Sequence, residues 1–146
     1  MRALVQRVAR ASVTVADEEV GRIGVGLLVF LGVFPDDTAK TSDKLAERTA
    51  MLRIFADDAK PLNRSVVDVG GEALVVSQFT LAADTSRGRR PNLSGAAPPA
   101  LANELYERYV RALAGHVKRV ATGKFGADMR VELVDDGPVT LILDQV

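Results

Sequence analysis

Apolar positions along this 146-residue chain fall in short runs, and the spacing inside each run predicts an element. "RALVQRVARASVTV" (2–15) alternates imperfectly and is rich in Val, which predicts two strands joined near Arg10 and Ala11. "GRIGVGLLVFLGV" reads as a buried strand after Gly24. In "PDDTAKTSDKLAERTAMLRIF" turn and cap residues come first. Leu45, Arg48, Thr49 and Leu52 then recur at helical spacing, predicting a helix over about 38–52. "DAKPLNRSVVDVGG" is loop and turn, and "EALVVSQFTL" is the second buried strand. Residues 82–97 predict a long irregular loop rich in Arg, Gly, Ser, Asn and Pro, a kind of segment that is usually functional or disordered. Pro98 and Pro99 suit a helix start, with Leu101, Leu105, Tyr109, Ala112 and Leu113 as its apolar face. "HVKRVAT", "DMRVELV" and "VTLILDQV" predict three closing strands. The order β-β-β-α-β-α-β-β-β implies a single α/β domain over 1–146. Its three layers are α/β/β, with helices on one face of a sheet and strands on the other.

Composition narrows the chemistry. At 47% hydrophobic and 26% charged the chain is globular, and no apolar stretch is long enough to cross a bilayer. The N-terminus reads as a strand rather than a signal peptide. Cysteine is absent, which removes disulfides, thiolate catalysis and thiolate metal sites and fits a cytoplasmic protein. The single histidine, His116, follows the expected helix end at Gly115, where a cap or surface role suits it better than catalysis. No metal site and no cofactor are expected. Lys plus Arg and Asp plus Glu each number 19, so the formal charge is zero. That argues against coating a nucleic acid and permits gripping a short nucleic-acid end.

One stretch breaks the pattern. After Val75 and Val76, "SQFT" delivers Ser77, Gln78, Phe79 and Thr80 to the edge of a loop carrying Arg87, Arg89 and Arg90. Ser77 and Thr80 are candidate nucleophiles, yet no S-x-x-K or G-x-S-x-G pattern is present and the one histidine is far along the chain. The plainer reading has their hydroxyls satisfying backbone groups at a strand end. The arginines read as phosphate forks or as solvated charge. "VDDGPVT" (134–140) has good hairpin-turn chemistry on local grounds.

These segments together resemble the D-aminoacyl-tRNA deacylase family. The blocks are "QRVARASVTV", "GLLVFLGV", "ALVVSQFTLAAD", "TGKFGADM" and "LVDDGPVT", in the family's order and over essentially the whole chain. One departure is visible: Asp135 stands where the family often has Asn. The resemblance implies hydrolysis of the ester joining a D-amino acid, or glycine, to the 3′-terminal adenosine of tRNA. It implies that residues 77–80 meet the ester, with main-chain N–H groups near Phe79 and Thr80 stabilising the oxyanion. A ribose hydroxyl of the RNA then helps position or activate water. Phe125 would stack on the terminal adenine, and Arg7 would fix the Gly-Pro segment. Gly137 and Pro138 would be joined by a cis bond and enter a partner subunit's site, where their main chain excludes L-residues. The expected partners are therefore the tRNA 3′ end and a second copy of the chain. Two other readings stand beside this one: a hydrolase using Thr80 or Ser77 as a covalent nucleophile, and a non-catalytic module that binds RNA ends.

Overall fold

A computed structural model describes residues 1–146. The order is β1 (Arg2–Val15), β2 (Glu18–Ile23), β3 (Gly26–Gly32), α1 (Ala39–Met51), β4 (Glu72–Ser77), a 3₁₀ turn (Phe79–Ala82), α2 (Pro99–Ala114), β5 (Val120–Thr122) and β6 (Arg130–Asp144). The strands form one six-stranded sheet in the order β2-β1-β3-β4-β5, with β6 paired to β1. β3, β4 and β5 run parallel, and α1 and α2 cross between them. No helix is long and apolar enough to cross a membrane.

Two cores give the layers. In β4, Ala73 and Val75 pack with Leu45, Leu105, Tyr109 and Leu113 of the helices. Leu74 and Val76 pack on the other face, against Val8, Ala11, Val13 and Ile23. A strand buried on both sides reads as an unbroken apolar run, as this one does. The second core exists because the sheet folds over: β1 continues past β3, carries β2, and lays it behind β4 and β5. Gly21 is the closest approach, since a Cβ there would stand 2.6 Å from the carbonyl oxygen of Thr122.

Two strand predictions are corrected. Residues 2–15 form one strand, and register shifts near Val8 explain its broken alternation. Ala3 and Val5 face the helices, whereas Ala11 and Val13 face the second core. An odd slip moves every following side chain to the other face. The second strand is instead "EEVGRI", reached through Ala16 and Asp17, both at positive φ as a tight two-residue hairpin requires. At the other end, "DMRVELV" and "VTLILDQV" are one strand, so the order closes β-β rather than β-β-β. "VDDGPVT" is not a hairpin turn but a bulge within that strand. Val8 pairs with Asp135 and Gln6 with Thr140. β6 therefore takes five steps while β1 takes two, and residues 136–139 leave the ladder.

Candidate active site

The C-terminal ends of parallel strands are where open α/β sheets bind ligands. Here β3 and β4 end beside a cleft of about 490 Å³. Ser77, Gln78, Phe79 and Phe125 line it, together with Met129 and the returning loop at Ala96 and Ala97. Most of the lining is apolar, which suits a flat base and an uncharged ester better than free phosphate.

The β4 run does not continue through "SQFTL" as a strand. It stops at Ser77, because β3 ends at Gly32 and leaves no neighbour to pair with. Gln78 N–H takes the last partner, the Leu31 carbonyl, at 2.8 Å, and the chain then coils into the 3₁₀ turn. Phe79 and Thr80 open that turn, where N–H groups have no acceptor inside it. None of the loop and cap hydrogen bonds uses either group. Phe79 is 57% exposed and lines the cleft. Thr80 Oγ1 receives a hydrogen bond from Gln78 Nε2 at 2.5 Å, and a side-chain amide is no base. His116 lies past the end of α2, in a separate hollow with Val67 and Gly70. No group of three or more His, Cys, Asp or Glu side chains is arranged to hold a metal ion.

Phe125 leans on Tyr106, ring centroids 6.0 Å apart and tilted by 44°. The Tyr106 hydroxyl donates to the Val75 carbonyl at 3.0 Å, and burial pushes its pKa up to about 12. It therefore stays a donor at any physiological pH. Tyr106 carries no functional signal in the sequence, although its spacing from Ala102 and Tyr109 puts it on the apolar face of α2.

Arg87, Arg89 and Arg90 are exposed and do not line the cleft. They occupy the tip of the loop, beyond a bridge in which Asp84 and Asn92 exchange two 2.9 Å hydrogen bonds. Hydrogen bonds from the Ser86 hydroxyl and N–H hold the Asp84 carboxyl below its ordinary range, keeping the bridge anionic at its base. The loop leaves the cleft at Phe79 and returns at Ala96, with its arginines at the tip between.

Gly137 and Pro138 are not brought to this cleft. The bond between them is cis, both residues are exposed, and Gly137 has φ +144°, a region that glycine adopts. Arg7 grips the bulge: Nε donates to the Asp136 carbonyl at 2.7 Å and Nη1 to the Ile54 carbonyl at 2.8 Å. Across the sheet, Arg7 is level with Leu27 and Ala73, whereas Ser77 is level with Leu31 and Ala3. Four residues of strand and three strand spacings separate the bulge from Ser77 of its own chain, a path on the order of 20 Å.

A family model described as D-Tyr-tRNA(Tyr) deacylase matches residues 4–144. A D-aminoacyl-tRNA deacylase of Roseiflexus sp. (strain RS-1) is 60% identical over 148 residues, covering 99% of this chain and 93% of its own. One of Ruegeria pomeroyi is 56% identical over 144 residues, covering 99% of each. Among solved structures, the c-Myc DNA Unwinding Element Binding Protein superposes with a TM-score of 0.92 at 39% identity, covering 99% of this chain and 98% of that one. A probable eukaryotic D-amino acid tRNA deacylase superposes with a TM-score of 0.85 at 18% identity, over 99% and 98% of the two chains, a likeness of fold.

Proposed function

The chain belongs to the D-Tyr-tRNA(Tyr) deacylase family and is a D-aminoacyl-tRNA deacylase; from that premise we propose how its two separated features make one site. The 3′-terminal adenosine of an aminoacyl-tRNA enters the cleft, its base against Phe125. Its ester carbonyl lies at the start of the 3₁₀ turn. Water adds to the carbonyl carbon, and the N–H groups of Phe79 and Thr80 receive the charge that develops on oxygen. The C–O bond to the ribose then breaks, the ribose oxygen takes a proton, and a free amino acid leaves. The cleft offers no general base, so a vicinal ribose hydroxyl of the RNA positions or activates the water. An aminoacyl ester is reactive enough for that modest help. Arg87, Arg89 and Arg90 meet phosphates or ribose of the strand leaving the cleft.

Chirality is set by a second copy of the chain. The observation that carries this reading is the separation: the bulge protrudes from one end of the sheet, and the cleft opens at the other. Neither reaches the other within one chain. In a homodimer that inserts each bulge into the partner's cleft, the rigid main chain of Gly137 and Pro138 faces the substrate's α-carbon. It accepts hydrogen bonds from the α-amino group. A D-side chain then points outward, an L-side chain collides with main chain, and glycine, having none, is admitted.

Incubation with D-Tyr-tRNA, L-Tyr-tRNA and Gly-tRNA tests the substrate side: release of D-tyrosine and glycine with L-tyrosine retained is the expected result. Mixing tests the sharing. A protomer damaged at Phe79 and one damaged at Gly137, each inactive alone, regain about a quarter of wild-type sites when combined, because half of random dimers carry one intact composite site. No recovery on mixing, or full activity in a monomer by light scattering, overturns the shared site.

A further inference from the structure

The bulge is held at its neck by a residue with no assigned part in the reaction. Asp135 and Thr140 are the last paired residues before and after the departure of β6 from the ladder. Asp135 Oδ1 accepts the Val139 N–H at 3.1 Å, which closes the neck directly. Its Oδ2 accepts the Thr140 hydroxyl at 3.0 Å and the Gln6 side-chain amide at 3.0 Å, tying both feet of the bulge to β1. Gln6 Nε2 also reaches Thr140 Oγ1, at 3.3 Å. Every group aimed at the carboxylate donates. An ionised carboxyl is the side chain that accepts from all three at once, and charge strengthens each bond. Gln6 and Arg7 are neighbours in β1, so one strand holds the bulge from two sides: Gln6 through Asp135, and Arg7 through the Asp136 carbonyl.

We propose that Asp135 is a positioning residue for chiral selection: its carboxylate fixes the height and tilt at which Gly137 and Pro138 stand, and so sets the ratio of D- to L-aminoacyl-tRNA cleavage. The proposal rests on the reading above, in which that main chain is the selector. Steric exclusion depends on a wall that does not yield. A bulge released at its neck yields to an L-side chain and also loses its grip on the α-amino group of a D-substrate. Displacements of about 1 Å at a reacting centre cost up to about 100-fold in rate.

The test compares kcat/KM for D-Tyr-tRNA and L-Tyr-tRNA, the latter followed at high enzyme and corrected for spontaneous hydrolysis. Asp135→Ala is expected to lower the D/L ratio by about tenfold or more, through both a fall for D and a rise for L. Asp135→Asn keeps an oxygen for the Val139 N–H and offers its amide hydrogens to Thr140 and a flipped Gln6, and stays within about threefold of wild type. If Asp135→Ala does not fold, Gln6→Ala with Thr140→Val removes two of the three donors from the other side, and the ratio is expected to fall by about threefold or more. A merely structural carboxylate lowers both substrates in proportion. An unmoved ratio in the folded Asp135→Ala protein, or in the double variant in its place, therefore overturns the proposal. Gly137→Ala separates the two levels. Its Cβ would stand 2.9 Å from Val139 N and 3.0 Å from Arg7 Nη2, so it distorts the bulge itself. A ratio moved by Gly137→Ala and not by Asp135→Ala sinks the clamp alone; a ratio moved by neither sinks the selector with it.

Discussion

On the function proposed above, the cleft and the bulge both work through main chain, in opposite ways. The cleft is concave and grows out of the most buried part of the fold: Val75 and Val76 are core residues, and Ser77 follows them directly. Its backbone donors are free because a 3₁₀ turn has just begun. The bulge is convex and exposed, and three residues longer than its partner strand requires. Its backbone is held by side chains from behind, Arg7 and Asp135, rather than by a ladder. The difference locates the fragility of each. On that reading, side chains at the cleft are replaceable as long as the turn forms. Side chains behind the bulge are not, because they stand in for the ladder that its backbone has left.

The largest expected effect tests the cleft half of that contrast. Phe79→Pro removes the N–H and the ring; Phe79→Ala removes the ring alone. Gln78, at φ −142° and ψ 88°, lies outside the α region that a following proline disfavours. Loss of one oxyanion donor costs about 10²–10³ in kcat. Single-turnover rates for the two variants should differ by that factor, and equal rates would remove the Phe79 N–H from the chemistry. The bulge half is tested by Arg7→Ala, which strips charged hydrogen bonds from the Asp136 and Ile54 carbonyls. At roughly 1.5–3 kcal/mol for such bonds, kcat/KM for D-Tyr-tRNA is expected to fall about tenfold to a hundredfold with the dimer intact by light scattering. A fall below threefold would mean the bulge stands without its brace.

The two regions were unequally legible in the sequence. The helices were plain because their ends are signalled: Thr38 caps α1, with Thr41 returning the bond, and Pro99 opens α2. β3 and the middle of β4 were plain because burial on both faces leaves no polar position. The hairpin at Ala16 and Asp17 was not, because it lacks the Asn-Gly or Asp-Gly pair that marks such turns. The bulge reads as a turn for a better reason. Asp-Asp-Gly-Pro carries turn chemistry, and what keeps β6 in the sheet on both sides of it is pairing to β1, more than a hundred residues away. Residues 77–80 were visible as an anomaly, polar groups on a core strand. A part for their main chain came only from the family resemblance, since backbone groups leave no signature in composition. Tyr106 and Asp135 act by contact with distant segments, which periodicity cannot display.

The loop arginines sharpen the comparison from outside it. Arg87, Arg89 and Arg90 stand exposed at the tip of their loop and line no part of the cleft. Replacing all three with Gln should raise KM for tRNA several-fold and leave kcat and the D/L ratio unchanged. The slope of log KM against log salt should flatten by about two, at about 0.7 for each single-strand phosphate that is no longer neutralised. An unchanged slope returns the three to solvated charge. A changed ratio would mean the loop reaches the selector.

The smallest effect is the most pointed. Thr80 has the one hydroxyl at the start of the turn, and its chemistry is where a covalent mechanism would begin. Its Oγ1 receives the Gln78 amide at 2.5 Å, and no histidine, lysine or carboxylate is hydrogen-bonded to it. An alcohol without a base is a poor nucleophile. The backbone N–H of the same residue survives truncation of the side chain. Thr80→Ala removes one exposed hydrogen bond, worth about 0.5–1.5 kcal/mol, so the turn persists and activity drops by no more than about tenfold. Both outcomes are read in one experiment: single-turnover deacylation of D-Tyr-tRNA, with the protein mass followed for an acyl adduct. A rate within that range and no adduct leave water as the nucleophile and the main chain as the catalyst. A loss approaching the whole rate enhancement with binding unchanged, or an adduct on the wild-type protein that Thr80→Ala abolishes, would transfer catalysis from the backbone of this turn to its side chain.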